Sequence, residues 1–503
     1  MTAKITVGSG GAGAAGASSF LDLSDTPAAY AGAATDYLRV NAAGDAVEFT
    51  AVGGVEGAHT HTHVVGRDVA LSGIARYHYA DGVNDEVQIN QAIQAAKAVG
   101  GDVLVKAGNY SIRDAQATAE IVLESGVNIV GEGYKTYIKL ANNQKDVISN
   151  DWWFQNIFAD RAGVSNVRIS HLRLDGNKAN QTTVNASNQG APIYFGHSGA
   201  GYTVDHCYVH DALFYGVFAT ALTGNVSDVK ILNNRVTGSN FNDISVQCGG
   251  PDMADVAIIG NTIGGDTGDI GIDAESFSTG ELRRITIMGN TCLEMTGTEG
   301  STKPLLNWYA IRAERNTRHV AIIGNTVHQT MRGISTHIGT DGDIILANNV
   351  IYLNTAEADS KGMVIEGAGT GRHIVEGNHI IGDVSTAGNY GIRLTAPSCL
   401  IHGNYIYDCQ YGIIVEAADY ASISDNYLSS NTEGIRVSGD GAHISGNKLA
   451  DTTGVVVLAA ANDAWMDGND FVLCATDVAD AGTATVYGTN RDQSGNIDVG
   501  VEP

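Results

Sequence analysis

The chain has 503 residues, 63 of them glycine and only 6 proline, and carries 55 acidic against 29 basic residues for a formal net charge of −26. Glycine without a Gly-X-Y period excludes a collagen rod, and acidity without a Lys/Arg run argues against nucleic acid or an anionic membrane as partner. The longest apolar runs, such as 454–461, fall far short of the roughly 20 residues of a membrane-spanning helix.

In chain order, residues 1–19 begin Met1-Thr-Ala-Lys4 and dissolve into Gly, Ala and Ser. They read as a flexible tail, without the apolar core of a secretory signal peptide. Residues 20–66 alternate like strands but are too few for an independent globule, so they are expected to need partners. Residues 67–100 read as a neck and one helix. Asp85 and Gln88 are spaced as a capping box, Ile89, Ala92, Ile93, Ala96 and Val99 share one face, and Gly100-Gly101 ends it. Such a helix is expected to cap an open solenoid end, with a strand at Val103–Val105 following.

From about residue 165 a phrase small-Asn-x-apolar recurs around Asn234, Asn261, Asn290, Asn325, Asn348, Asn378, Asn404, Asn426, Asn447 and Asn469, at intervals of 21 to 35 residues. Alternating segments precede it, and "Gly-Ile-x-apolar-x" follows it. Two or three short strands per repeat with an Asn at a fixed corner predict an all-β fold: a right-handed, single-stranded parallel β-helix over 101–490, with 491–503 as a tail. The Asn side chains are expected to form a ladder that begins earlier, with His171 and His206 in the corner position. Six cysteines without a C-x-x-C are expected to be reduced thiols of the core.

Aligning coils on the Gly-Ile phrase stacks Asp273, Arg312, Ser335 and Val364 in one outward column. Gln247, Glu275, Glu314, His337 and Glu366 form the next. Carboxylates about 5 Å apart resist joint ionisation, so one of Glu275 and Glu314 is expected to titrate high unless Arg312 neutralises it. A raised and an ordinary carboxylate are the acid and its partner in glycoside hydrolysis, which makes Glu314 the candidate acid and Glu275 or Asp273 its partner. Arg312, His337 and Glu366, with Trp308 and Tyr309 from the longest repeat interval, are candidate substrate contacts. Aromatics also gather at Trp152, Trp153, Phe154, Phe158, Tyr194, Phe195, Phe214, Tyr215 and Phe218, where sugar rings could stack. A lyase is the rival chemistry, but an acidic, Lys-poor chain would repel an anionic polymer unless Ca²⁺ intervened. The hydrolase reading requires no cofactor.

The phrase Phe20-Leu-Asp-Leu-Ser-Asp-Thr-Pro-Ala-Ala-Tyr-Ala-Gly32, with Leu38-Arg-Val-Asn41 and Glu48-Phe49, resembles a short module near the start of many bacteriophage tail fibre and tailspike proteins. His59-Thr-His-Thr-His63 is similar to the His-x-His segments of tail-fibre shafts. The stretch Asp81–Ile93, Gly100–Tyr110, Gly131-Glu-Gly133 and Asp175–Asn180 resembles the opening of the pectate-lyase-like β-helices. The resemblance implies a homotrimer on a virion tail, anchored through its N-terminus, that binds and in many cases cuts host surface polysaccharide. It also implies release by lysis, without a signal peptide. The polygalacturonase motifs Asn-Thr-Asp, Asp-Asp and Gly-His-Gly are absent as such, so no catalytic residue carries over. The readings left open are a depolymerase, a purely adhesive or structural spike and a polysaccharide lyase. On a threefold axis His59, His61 and His63, which alternate and so face one way, are candidate ligands for iron, nickel or zinc.

Overall fold

The computed structural model describes residues 36–40, 47–51, 61–69, 76–112, 120–142, 156–181, 190–265, 268–293, 309–338, 342–353, 360–367, 371–384, 388–416, 418–492 and 497–499. The chain divides into two units, 1–60 and 61–503. Within the first, Asp36–Val40 pairs antiparallel with Val47–Ala51. The boundary differs from the expected one at residue 66, because His61–Gly66 is already a solenoid strand, flanked in parallel by Tyr77–Tyr79 and Asp102–Val105.

The second unit is a right-handed parallel β-helix with three long sheets. Sheet 1 has 14 strands, from Ile121–Val122 to Thr476–Asp480. Sheet 2 has 17, ending at Tyr77–Tyr79 and Val486–Tyr487. Sheet 3 has 16, from Gly108–Ile112 to Ile497–Val499. Every described pairing in this unit is parallel except the last, Thr489–Arg491 with Ile497–Val499. Inward side chains form one continuous Ile, Val and Leu core along the axis. All six cysteines are free and buried, and burial pushes thiols such as Cys207 up to about 12. They are inert packing groups, as their placement beside β-branched runs suggests.

The glycine of the Gly-Ile phrase is set by close approach. A Cβ on Gly333 would lie 2.4 Å from the carbonyl oxygen of Gly362, and one on Gly362 equally close to that of Gly391, with Ile351 and Ile380 of sheet 3 pressing from inside. The small residue before each ladder Asn has a different cause. It occupies a left-handed turn, held by Asn233, Gly260, Gly289, Gly324, Asn348 and Gly377 in successive coils. His171 and His206 belong to this turn column, with φ of 57° and 53° and rings stacked 4.9 Å apart, and are therefore not ladder members. For the same reason the ladder residue at 348–349 is Asn349.

The ladder proper starts at the backbone N–H of Cys207, which donates to Asn234 Oδ1 at 2.9 Å. It passes through Asn261, Asn290, Asn325, Asn349, Asn378, Asn404, Asn426, Asn447 and Asn469 to Asn490. Each Oδ1 accepts from the backbone N–H and the Nδ2 of the preceding Asn, and each Nδ2 also donates to a carbonyl of the preceding coil, as Asn325 does to Ile287 at 3.0 Å.

The helix spans Glu86–Val99 and packs on the first strands of sheets 1 and 2, closing the core as expected of a cap. Gly100, at φ 68°, ends it. The capping box does not form: Asp85 caps no helix N–H but accepts from Gly82 and, across 26 residues, from Ser111 at 2.8 Å. Val99 is exposed, one position off the buried stripe. Asn90 accepts from the N–H of Val122 and donates to the carbonyl of Glu120, so the cap satisfies the edge of sheet 1.

Asn325→Ala removes the acceptor of two Asn290 donors and the donor to Ile287, and it is expected to cost about 2–4 kcal/mol in urea unfolding. A loss under about 0.5 kcal/mol would show that the ladder contributes register but no stability.

Candidate functional site

The outward face of sheet 1 carries the charged columns in the expected register. Ile272, Ile311, Ile334 and Met363 align inward, so Asp273 meets Arg312 and then Ser335, while Gln247, Glu275, Glu314, His337 and Glu366 follow one another across adjacent strands. Alternation within Ile270–Ser276 and Tyr309–Arg315 puts the charges outside and Ala274 and Ala313 inside.

Arg312 is the hub. Its Nε donates to Asp273 Oδ1 at 2.9 Å, its Nη2 to Glu275 Oε2 at 3.2 Å, and its Nη1 lies 3.4 Å from Glu314 Oε2. Asp273 is fully inaccessible and also accepts from Asn242 and Gln247, so it cannot touch a substrate and instead orients the guanidinium. Glu275 is 8% exposed and holds a second cation, Arg315 at 3.0 Å. Glu314, with a side chain 20% exposed, lies within ion-pair distance of Arg312 and feels Arg315 and His337 more weakly.

Burial pushes the carboxyl groups of both Glu275 and Glu314 above the ordinary range. Asp273 adds to the rise at Glu275, and Arg312 opposes it at both without cancelling it. His337 and Glu366 meet at 3.4 Å on the more open part of the column, where Arg393 ties Glu366 to Glu416.

A third column lies beside these two, made of the residue that starts each strand: Tyr309, Arg332, Lys361, Tyr390, Tyr411 and Glu433. Arg332 sits 4.9 Å over the Tyr309 ring, Arg436 4.4 Å over Tyr411, and Tyr390 stacks on Tyr411 at 5.5 Å. The outward face thus carries carboxylates in one column and, in its neighbour, Arg332 and Lys361 among tyrosines, ending at Glu433.

Tyr309 is 9% exposed beneath Arg332, so it is a wall of the site with its ring face covered. Trp308, Trp152, Trp153 and Phe154 lie outside the described residues. Phe158 and Phe195 belong to the core, while Tyr194, Tyr215 and Phe218 form a second buried cluster against which the partly buried Phe214 and Phe241 pack.

Of the histidine segment, His59 lies outside the described residues and His61 is described only as a strand position. His63 Nδ1 lies 3.1 Å from Nε2 of His78 in the same chain, and burial holds both rings below their ordinary pKa. Asp175, His210 and Asp211 bring three potential metal-ligand atoms within 4.8 Å of one another. Lys139, 3.5 Å from Asp175, and Arg173, donating to His210 Nε2 at 3.1 Å, already bring positive charge to that cluster.

Arg312→Met should cost about 3–5 kcal/mol at pH 8 by leaving the buried carboxylates unneutralised. Glu275 and Glu314 titrate high when folded, so their cost is present at neutral pH and disappears as pH falls through the folded values. The deficit of the variant should therefore shrink at pH 5. Equal deficits at both pH values would mean that Arg312 acts by packing rather than by charge.

Residues 293–500, less than half of the chain, match the family described as periplasmic copper-binding protein (NosD). No curated protein matches. Among solved structures, the chain is similar to a tailspike protein mutant of E. coli bacteriophage HK620 in complex with hexasaccharide, at 12% identity and TM-score 0.54, covering 92% of this chain and 83% of that one. A second tailspike mutant of the same phage, in complex with pentasaccharide, gives 12% identity and TM-score 0.52 over 91% and 83%. The catalytic unit of a GH87 alpha-1,3-glucanase from Streptomyces thermodiastaticus gives 13% identity and TM-score 0.44 over 90% and 73%. At these identities the tailspike likeness establishes the shared β-helix fold.

Proposed function

We propose that the chain is a bacteriophage tailspike that binds host surface polysaccharide and hydrolyses it on the outward face of sheet 1. The observation that carries the catalytic part is the pair Glu275 and Glu314 on adjacent strands, both above the ordinary carboxylate range and sharing one guanidinium. Neighbouring strands lie about 4.8 Å apart, close to the roughly 5–5.5 Å carboxyl separation of retaining glycosidases. Glu275, facing Arg312 and Arg315, serves as nucleophile on the anomeric carbon. Glu314 is the general acid. Its proton passes to the glycosidic oxygen as the C–O bond breaks, and its carboxylate then takes a proton from the water that releases the sugar from Glu275. Asp273 acts through Arg312 and does not contact the sugar.

Purified protein incubated with bacterial surface polysaccharides is expected to release reducing ends without the absorbance of unsaturated uronates, and Glu314→Gln is expected to lower the rate at least ~100-fold. Unsaturated products would replace the hydrolase with a lyase. Glycan binding with neither signal would make the chain an adhesin, a reading favoured by the ion pairs that already engage Glu275.

The same reading makes the spike a homotrimer fixed to the tail through residues 1–60. A stripe on the outward face of sheet 2 supports self-association: Ile259, Met288 and Ile323 in one column and Ile345, Ile374 and Leu400 in the next, with Met288, Ile345 and Leu400 exposed. Sedimentation at three times the chain mass is expected, with Ile345→Glu/Leu400→Glu falling to the single-chain mass. A wild-type protein sedimenting as one chain would remove this part of the proposal.

A further inference from the structure

Six successive strands of sheet 3, from Thr326–Thr330 through Val350–Leu353, His379–Ile381, Tyr405–Tyr407 and Tyr427–Ser429 to Lys448–Ala450, contain no Asp or Glu in a chain of charge −26. Their outward positions hold His328, Tyr352, His379, Tyr405, Tyr407 and Tyr427 alongside Thr326, Val350, Ile381, Ser429, Lys448 and Ala450. Equivalent positions face one another from coil to coil: His328 meets Tyr352, His379 meets Tyr405, and Tyr405 meets Tyr427.

The rings form two groups in line, separated where Tyr352 stands opposite Ile381. His328 stacks on Tyr352 at 5.2 Å, His379 meets Tyr407 edge-on at 5.4 Å, and Tyr427 tilts against Tyr405 and Tyr407 at 6.0 and 5.8 Å. Lys448 lies 5.6 Å over Tyr427 at its end. Tyr405 is 50% and Tyr352 37% exposed, which is a large aromatic area to leave in water. The core needs none of it, since Ile351, Ile380, Ile406 and Leu428 on the inner face of these strands are already fully buried.

We infer that this strip is a second glycan-binding surface, for an uncharged polysaccharide strand lying along the solenoid axis. It goes beyond the sheet 1 proposal and does not depend on it, because it lies on a different sheet and uses no carboxylate. Ring faces stack on the C–H faces of pyranoses, and phenol and imidazole edges hydrogen-bond to sugar hydroxyls. Coils rise by about 4.8 Å, so the strip presents its groups with a period that suits a polymer of sugar units. A second copy of the chain is the poorer occupant: this face lacks the aliphatic column that sheet 2 provides. With Lys448 as its one lysine or arginine, the strip also lacks the charge to neutralise a phosphate backbone.

The test is affinity electrophoresis of the full chain through gels containing dextran, yeast mannan or barley β-glucan, with alginate as the anionic control. At least one neutral polymer is expected to retard the wild type, and Tyr405→Ala/Tyr427→Ala to weaken that binding on the order of tenfold. Tyr405→Ala alone, at a half-exposed ring whose loss opens no cavity, serves if the double variant fails to fold, and it should weaken binding in part. The inference is overturned by retardation that survives loss of the rings, by retardation in alginate alone, by none in any gel, or by a change in sedimenting mass on removing the rings, which would mark the strip as an interface between copies.

Discussion

Everything else in this molecule depends on the register of one coil against the next. A parallel β-helix brings together side chains 20 to 40 residues apart, and a slip of one residue would turn every inward Ile or Val outward. Two devices prevent it. The buried amide ladder locks each coil to its neighbour at one corner through two donors and one acceptor per Asn. From Gly333 to Gly454 the glycine column beside sheet 1 admits no Cβ, so only one alignment lets those coils close to backbone contact. The outward columns are well ordered because the inward ones have no alternative.

That order concentrates electrostatic tension on sheet 1. Asp273, Glu275 and Glu314 are drawn together by strand pairing rather than by any attraction between them, and one buried guanidinium holds the group together. Such a cluster adds little to stability, since desolvation of the ions offsets most of the Coulombic gain. What it provides is placement: carboxyl groups held high and close, at a spacing set by the backbone.

The coil pattern and the charged columns were legible in the sequence because both follow the fixed Gly-Ile phrase, whose apolar member aligns in Ile272, Ile311, Ile334 and Met363. The third column was equally open to reading, since Arg332, Lys361, Tyr390 and Tyr411 each stand directly before that glycine. What lay beyond the pattern came from irregular segments. Phe214 and Phe241, which pack against the second aromatic cluster, sit in bends without a period. Asp85 matches a local capping motif but is used by Ser111, because an unpaired backbone N–H near the open end outweighs a cap that water can supply. His63 alternates with His61 in sequence, and its ring meets His78 of the neighbouring strand, a contact that only the strand pairing reveals.

The ladder also has a direction. In every rung the backbone N–H and one Nδ2 hydrogen reach forward to the oxygen of the following coil while that rung's own oxygen faces back, so the side-chain amide dipoles add head to tail along the axis, unlike those of the surrounding sheets, which largely cancel. The two ends are therefore inequivalent. At the start a backbone N–H suffices to begin the series, as at Cys207, whereas a chain stopped after any later coil would leave forward-pointing donors with nothing to meet. Asn490 closes the series by supplying the last oxygen to Asn469 and turning its own Nδ2 back to the carbonyl of Met466. The solenoid can lengthen or shorten in evolution by whole coils in its middle, but its final asparagine has to travel with the end.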